Sequence, residues 1–185
     1  MKKPGLMSCL KVLAHDTRGV AAIEFAFLAP VLILFYFGMV QFCQGFMALK
    51  RTGHVASMVA DLVSRTDAVT KQELEQILDI GYLIMAPFPT KPLEQRVSSV
   101  TRLDVNTYRV DWSVVRGSEI LKDKLEVAKV DIPSNLLANG QSIIVAEANY
   151  GYKSPLAEVA PSAARFSRTA YLRPRTIDLI PCKGC

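Results

Sequence analysis

Few side chains in this 185-residue sequence are spaced for chemistry, and they fall into two groups. The first is Gly19 with Glu24 five residues on, at the head of a long apolar run. A glycine leaves the backbone open to a protease. A carboxylate at the start of a membrane span costs about 2.5 to 3.5 kcal/mol if it must reach the centre, less near an interface, so it needs a partner or a role. Scission after Gly19 would make Val20 an N-terminal ammonium and Glu24 the fifth residue. The carboxylate could then neutralise the new ammonium of a neighbouring subunit and offset the burial of both charges. The plainer alternative is that Glu24 rests in the headgroup layer. The second group is Cys182-Lys183-Gly184-Cys185, which can close a small disulfide loop in an oxidising compartment. A redox motif is the alternative, although such motifs usually open a helix beside a βαβ unit, whereas this pair follows Pro181.

Other chemistries lack their residues. Zinc needs more ligands than two cysteines supply, Cys9 lies before the apolar run and Cys43 inside it, and His15 and His54 flank it, so no metal site is expected. There is no Gly-x-Ser-x-Gly elbow, phosphate-binding loop or His-Glu-x-x-His pair, so neither an enzyme nor a cofactor is expected. The charge of +5 is local: Lys2, Lys3, Lys11 and Arg18 against Asp16 supply +3, and the remainder has 18 basic and 16 acidic residues. Arg165, Arg168, Arg173 and Arg175 have spacing compatible with one face of a strand or with a solvated edge, and nucleic-acid binding is not expected.

The element that must carry Gly19 and Glu24 is plain. Of the 30 residues from Val20 to Leu49, 24 are hydrophobic, and the 25 from Phe25 to Leu49 carry no charge. As a helix those 25 reach about 38 Å at about 1.5 Å per residue, enough to cross a bilayer about 30 Å thick with tilt. Lys50 and Arg51 stop the run. A cleavable secretory signal would have a shorter core and a small-x-small site just after it. The basic residues before the run favour a cytoplasmic N-terminus and an exported C-terminal head, although Lys50, Arg51 and Arg65 on the far side pull the other way.

The run Gly19-Val20-Ala21-Ala22-Ile23-Glu24-Phe25 resembles the processing site of type IV prepilins, a glycine, four residues, then Glu and an aromatic. From Arg18 through Ala26 to Pro30 it is similar to the opening of the TadE/TadF-type pseudopilins of tight-adherence (Tad, Flp) pili. Ala60-Asp61-Leu62-Val63, Met85-Ala86-Pro87-Phe88, Ala146 to Tyr152 and Tyr171 to Arg175 are similar to recurring segments of that family. The resemblance implies cleavage by a prepilin peptidase between Gly19 and Val20, with Glu24, Phe25 and Pro30 as the pilin motif. It further implies a minor pilin in the bacterial inner membrane, acting with other Tad minor pilins and the pilus assembly platform in a hetero-oligomer that initiates the pilus, up to a place at its tip. An uncleaved, membrane-anchored scaffold of the same machinery is the alternative.

The expected architecture is α+β: a prepilin leader over 1–19, a transmembrane helix over 20–49, an amphipathic stalk over 50–66 and an exported head over 67–185 with a mostly antiparallel sheet and packed helices. Val55, Met58, Val59, Leu62 and Val63 recur at helical spacing, which carries the first helix to about Arg65. Thr70-Lys71-Gln72-Glu73 fits a capping box that opens a second helix, with Leu74, Ile77, Leu78, Leu83 and Ile84 as core positions; Pro87, Pro89 and Pro92 end it. Beyond Pro92 the period falls to two. Val97-Ser99-Thr101 and Val110-Trp112-Val114 predict a hairpin turning near Asn106-Thr107, and 142–152 and 164–172 predict two more strands. Residues 122–131 suit a helix or a strand. Tyr150 and Tyr152 share a strand face and read as packing, and Trp112 as a core anchor.

Overall fold

The computed structural model describes residues 19–104, 107–117, 132, 136–154 and 163–185. The basic leader with Cys9 and His15, Asn106, and the ambiguous stretch 122–131 lie outside those residues. The elements are α1 (Val20–Ser64), β1 (Val69–Thr70), α2 (Lys71–Met85), β2 (Leu93–Asp104), β3 (Thr107–Arg116), β4 (Ser142–Lys153), β5 (Ala163–Leu172) and β6 (Cys182–Lys183). Two compact units part between Cys43 and Gln44, inside α1. The layout is α+β, as the sequence patterns predict.

In the first unit α1 exposes apolar side chains all the way round, from Phe25 and Phe27 to Phe42. No polar stripe interrupts them, so this stretch has no face selected for water. It is long and apolar enough to cross a membrane.

In the second unit, α1 from Gln44 onward becomes a layer of the fold. Ala48, Thr52, Val55, Ala56, Val59, Ala60, Val63 and Ser64 are buried along it. Val55, Val59 and Val63 are the expected core positions, while Met58 and Leu62 flank the stripe half-buried. Its centre is a row of small residues at every fourth position, 48, 52, 56, 60 and 64. Such a row leaves room for the side chains of a neighbouring layer.

That neighbour is a four-stranded antiparallel sheet in the order β3-β2-β4-β5. Both helices cover one face, whose core includes Leu93, Val97, Trp112, Val114, Ile144, Ala146, Ala148, Tyr150 and Tyr152. A smaller cluster of Val100, Ile132, Leu137, Ile143 and Val145 occupies the other. There the cross-strand pair Arg96 and Glu147 forms an ion pair of 2.6 Å, and Ser98 and Ser113 share a hydrogen bond of 2.8 Å. Ten consecutive residues of β2 are therefore buried, on both faces. The regular alternation expected of Val110-Trp112-Val114 is broken. Register shifts between Ser99 and Val100, where Ser99 faces Trp112 and Val100 faces Val110, so Asp111 is an extra residue. This bulge sends Val110 to the smaller cluster while Trp112 and Val114 stay on the helix face. Asp111 accepts from Thr101 Oγ1 at 2.5 Å and Arg109 Nε at 2.9 Å, which fixes the bulge.

The capping box forms as the sequence predicts: Thr70 Oγ1 accepts from the Glu73 amide at 3.2 Å and the Glu73 carboxylate accepts from the Thr70 amide at 2.8 Å. Leu74 and Leu78 are fully buried and Ile77 and Ile84 pack at the edge of the core, but Leu83 is 76% exposed and does not face it. At 100° per residue Leu83 lies away from the line through Leu74, Leu78 and Met85. Arg165 and Arg168 also depart from a single face: three residues apart in an extended strand, they point to opposite sides of β5, an edge strand.

The helix α2 approaches β2 at Gly81. A Cβ built there would lie 2.1 Å from Gln95 Oε1. Gln95 is buried and donates from Nε2 to the Leu78 carbonyl at 2.9 Å, so it cannot swing aside without losing that bond. Gly81→Ala should lower stability by about 1–3 kcal/mol, the usual range for overpacking. Thermal unfolding of the detergent-solubilised chain, followed by Trp112 fluorescence, measures it; an unchanged midpoint would mean Gln95 yields freely.

Candidate processing site and tail clip

Gly19 stands immediately before α1, and Val20 is the first α-helical residue. Both are exposed. Among the described residues nothing lies within 4 Å of a Cβ built on Gly19, and its backbone is not in the left-handed region. The described part of the fold therefore gives no reason for glycine at this position.

Glu24 is four residues beyond Val20, hence on the same side of the helix and about 6 Å further along its axis at about 1.5 Å per residue. It is exposed, and among the described residues it forms no ion pair or hydrogen bond. The first turn of α1 carries no acidic residue, so Glu24 lies just past the zone where the helix dipole favours a carboxylate. Phe25 projects from the neighbouring position, 67% exposed. Pro30 is inside the helix, where it supplies no amide hydrogen to the Ala26 carbonyl one turn back. An apolar helix with a lone carboxylate near one end, and a carbonyl half a turn further on that lacks its amide donor, has polar groups that lipid cannot satisfy. A cation and a donor from other chains can.

Cys182 and Cys185 are joined in a disulfide with Cα atoms 5.9 Å apart. Gly184 takes φ of 81°, the left-handed conformation that glycine adopts without strain. The first two residues of the loop form β6, which pairs in parallel with β1, Val69 against Cys182 and Thr70 against Lys183. It does not open a helix among the described residues. The tail before it is held throughout. The Arg175 amide donates to the Ser64 carbonyl at 2.9 Å and its guanidinium meets Asp61 at 2.5 Å. Trp112 Nε1 donates to the Ile180 carbonyl at 2.8 Å, Ser142 Oγ to the Asp178 carbonyl, and the Val69 amide to the Pro181 carbonyl at 3.0 Å. The tail thus caps α1, meets the start of α2 and covers Trp112. Sequence patterns miss this strap because its partners are carbonyls far along the chain, which leave no periodicity.

Tyr150 and Tyr152 are both buried on the helix face. Tyr150 donates to the Pro89 carbonyl at 3.0 Å, and Tyr152 stacks on Phe166 with ring centroids 5.9 Å apart. Burial raises the pKa of both phenols above 10.0; the neighbouring Tyr152 adds to the rise at Tyr150, and a Ser154 hydrogen bond offsets part of it at Tyr152. Both stay neutral packing groups in the physiological range. Among the described residues, no three His, Cys, Asp or Glu side chains come together as metal ligands.

Residues 19–61 match the family model described as TadE-like protein. The matched segment covers Gly19, Glu24, the apolar run and most of α1, and ends before the sheet. It supports a Tad-pilus-related protein with an N-terminal helix of the kind that anchors a chain in a membrane. No curated protein and no solved structure matches the chain.

Opening the tail loop tests its weight. The chain-entropy estimate for so short a loop is about 2 kcal/mol. Cys182→Ser should therefore lower the unfolding midpoint of the full chain and speed proteolysis after Arg175 under non-reducing conditions. Identical protease resistance in wild type and variant would show that the hydrogen bonds of Ile180 and Pro181 hold the tail unaided.

Proposed function

We propose that this chain is a minor pilin of the Tad (Flp) type IV pilus system, cut between Gly19 and Val20 by a prepilin peptidase and taking part in initiation and assembly of the pilus, up to a place at its tip. The observation that carries the reading is the pairing of an exposed glycine, which nothing among the described residues requires, with a solitary Glu24 at the head of the uncharged run Phe25–Leu49. The TadE-like match over residues 19–61 supports it. The chain is inserted in the bacterial inner membrane with its N-terminus cytoplasmic and its head on the exported side. Its partners are the peptidase, other Tad minor pilins, the assembly platform and membrane lipid, in a hetero-oligomer. Its role is assembly without catalysis or nucleic-acid binding.

The mechanism follows from charge and packing. Cleavage frees the Val20 amine, which is cationic at neutral pH with an ordinary pKa near 7.7–8.0. Helical side chains lean toward the N-terminus, so Glu24 points toward the level of that amine. In a bundle of staggered helices the carboxylate of one subunit can meet the ammonium of the next, and each charge removes the other's burial cost. The apolar surface from Phe25 to Phe42 then exchanges lipid for neighbouring helices. A head of this size above every helix would crowd a narrow filament, which suits an initiating or capping subunit better than a repeating one.

Intact mass and N-terminal sequence, measured on protein from membranes with and without the peptidase, decide the first step. A peptidase-dependent start at Val20 is expected, and Gly19→Val should abolish it without loss of folding, since position 19 is open. A retained Met1 in both membranes would make the chain an uncleaved scaffold. Glu24→Ala should be cleaved normally yet assemble poorly in a piliation assay. Normal piliation by that variant would rule out the ammonium pairing.

A further inference from the structure

The four-stranded sheet has two edges, and an edge strand offers a row of unpaired amides and carbonyls to an extended chain that comes alongside. The two edges of this sheet are built differently. β3 is bulged at Asp111 and tied to α2 through Arg116, whose guanidinium meets Asp79 at 3.0 Å. β5 has neither device. It is 10 residues long, holds no proline, and pairs with β4 without a register shift from Ala163 against Lys153 to Leu172 against Ile144. Among the described residues, no backbone bond from any other element ends on it. Every second residue of such a strand turns its amide and carbonyl away from its neighbour. At about 3.3 Å per residue, the edge offered to another strand is about 33 Å long.

The side chains along β5 define what suits that edge. Ala163, Ala164, Arg165, Ser167, Arg168 and Thr169 are exposed. Arg165 stands opposite Gly151 and Arg168 opposite Ala148, so Arg168 projects on the helix face and Arg165 on the other. The stem of Arg168 rests on α1, its Cγ 3.8 Å from a Cβ built on Gly53. Among the described residues neither guanidinium forms an ion pair, and β5 itself carries no carboxylate. Phe166 and Ala170 share the helix face with Arg168, half-buried at the margin of the core.

A strand laid beside β5 would set its side chains directly opposite these, with Cβ atoms about 4.5–5.5 Å apart. Carboxylates opposite Arg165 and Arg168 would each receive a charge-assisted bond. Apolar residues opposite Phe166 and Ala170 would widen the core by one strand. A second copy of this chain suits the edge poorly, because its own β5 would bring two more arginines and no acid.

We propose that β5 is a docking edge that takes an extended segment of another protein as a fifth strand of the sheet, selected by two carboxylates three residues apart, one for Arg165 and one for Arg168. Main-chain bonds supply the affinity and the two acids choose the partner. The edge lies wholly in the head and stands whether or not Gly19 is cut.

The test uses the detergent-solubilised full chain and a fluorescent synthetic peptide of the length of β5, alternating valine and threonine with two glutamates three residues apart, followed by anisotropy at low salt. Two further peptides carry N-methyl groups on alternate sets of amides, one set for each side of the strand. Saturable binding is expected. One methylated set should weaken it about tenfold or more and the other leave it unchanged, because only one side of an added strand faces β5. The double variant Arg165→Glu, Arg168→Glu should bind the glutamate peptide about tenfold more weakly and take up instead a peptide with lysines in place of the glutamates. Both positions are exposed, so its unfolding midpoint by Trp112 fluorescence should match wild type. No saturable binding, or equal behaviour of the two methylated peptides, would overturn strand addition. Equal affinity of wild type and double variant would overturn the role of the arginines. A full chain that dimerises by itself, with a dimer that the peptide competes apart, would overturn the choice of a different protein as occupant.

Discussion

Everything in the head depends on the buried stripe by which α1 joins the core it shares with α2 and the sheet. The row Ala48, Thr52, Ala56, Ala60 and Ser64 runs along that stripe, and Gly45 and Gly53 lie beside the side chains of Tyr152 and Arg168. Valines at 55, 59 and 63 fill the space the small residues leave. Thr52, in the centre of the row, turns its hydroxyl back to the Ala48 carbonyl at 2.8 Å, so burial does not strand a polar group. A larger side chain in this row would lift the helix from the sheet and disturb the core that α1 shares with α2.

One helix thus has two kinds of surface. Up to Cys43 its apolar residues are exposed on all sides, and from Gln44 they are confined to a stripe. The change is written in residue size as well as polarity. Phenylalanine, leucine and isoleucine dominate the first part, where nothing restricts volume, and alanine, serine, threonine and valine line the second, where a sheet does. Hydropathy alone sees the uncharged run continue to Leu49. The size pattern marks the change nearer Gln44.

The sequence was most legible where local physics decides the outcome. The capping box at Thr70 and Glu73, the helix end before Pro87 and the strands around Val97, Trp112 and Ile144 each rest on a few neighbouring residues. Glu24 and Gly19 stood out for a related reason, since neither suits an apolar helix or a packed core. The illegible parts depend on partners remote in sequence. No periodicity announces the extra residue at Asp111, which reverses Val110, or the close approach that reserves position 81 for glycine. The strap was hidden because its bonds end on backbone carbonyls, which every residue type provides equally.

That strap explains how a helix ending in the protein interior can stop at Ser64. Helix C-termini leave carbonyls without intrahelical donors, and a buried end needs others. The Arg65 and Thr66 amides turn back to the Leu62 and Val63 carbonyls, Thr66 Oγ1 adds a second bond to Val63, and the Arg175 amide reaches the Ser64 carbonyl. Asp61 then receives both Arg65 and Arg175, so one carboxylate ties the last turn of α1 to the strand that has just left the sheet. These exposed pairs contribute little energy individually, on the order of 0.2–1 kcal/mol. Their effect is on position. With the tail fixed at Ser64 and clipped beyond Ile180, Trp112 has its acceptor and β1 has its partner, so the beginning of α2 is held by the end of the chain. The end of the head that holds the disulfide is thus closed by its own backbone.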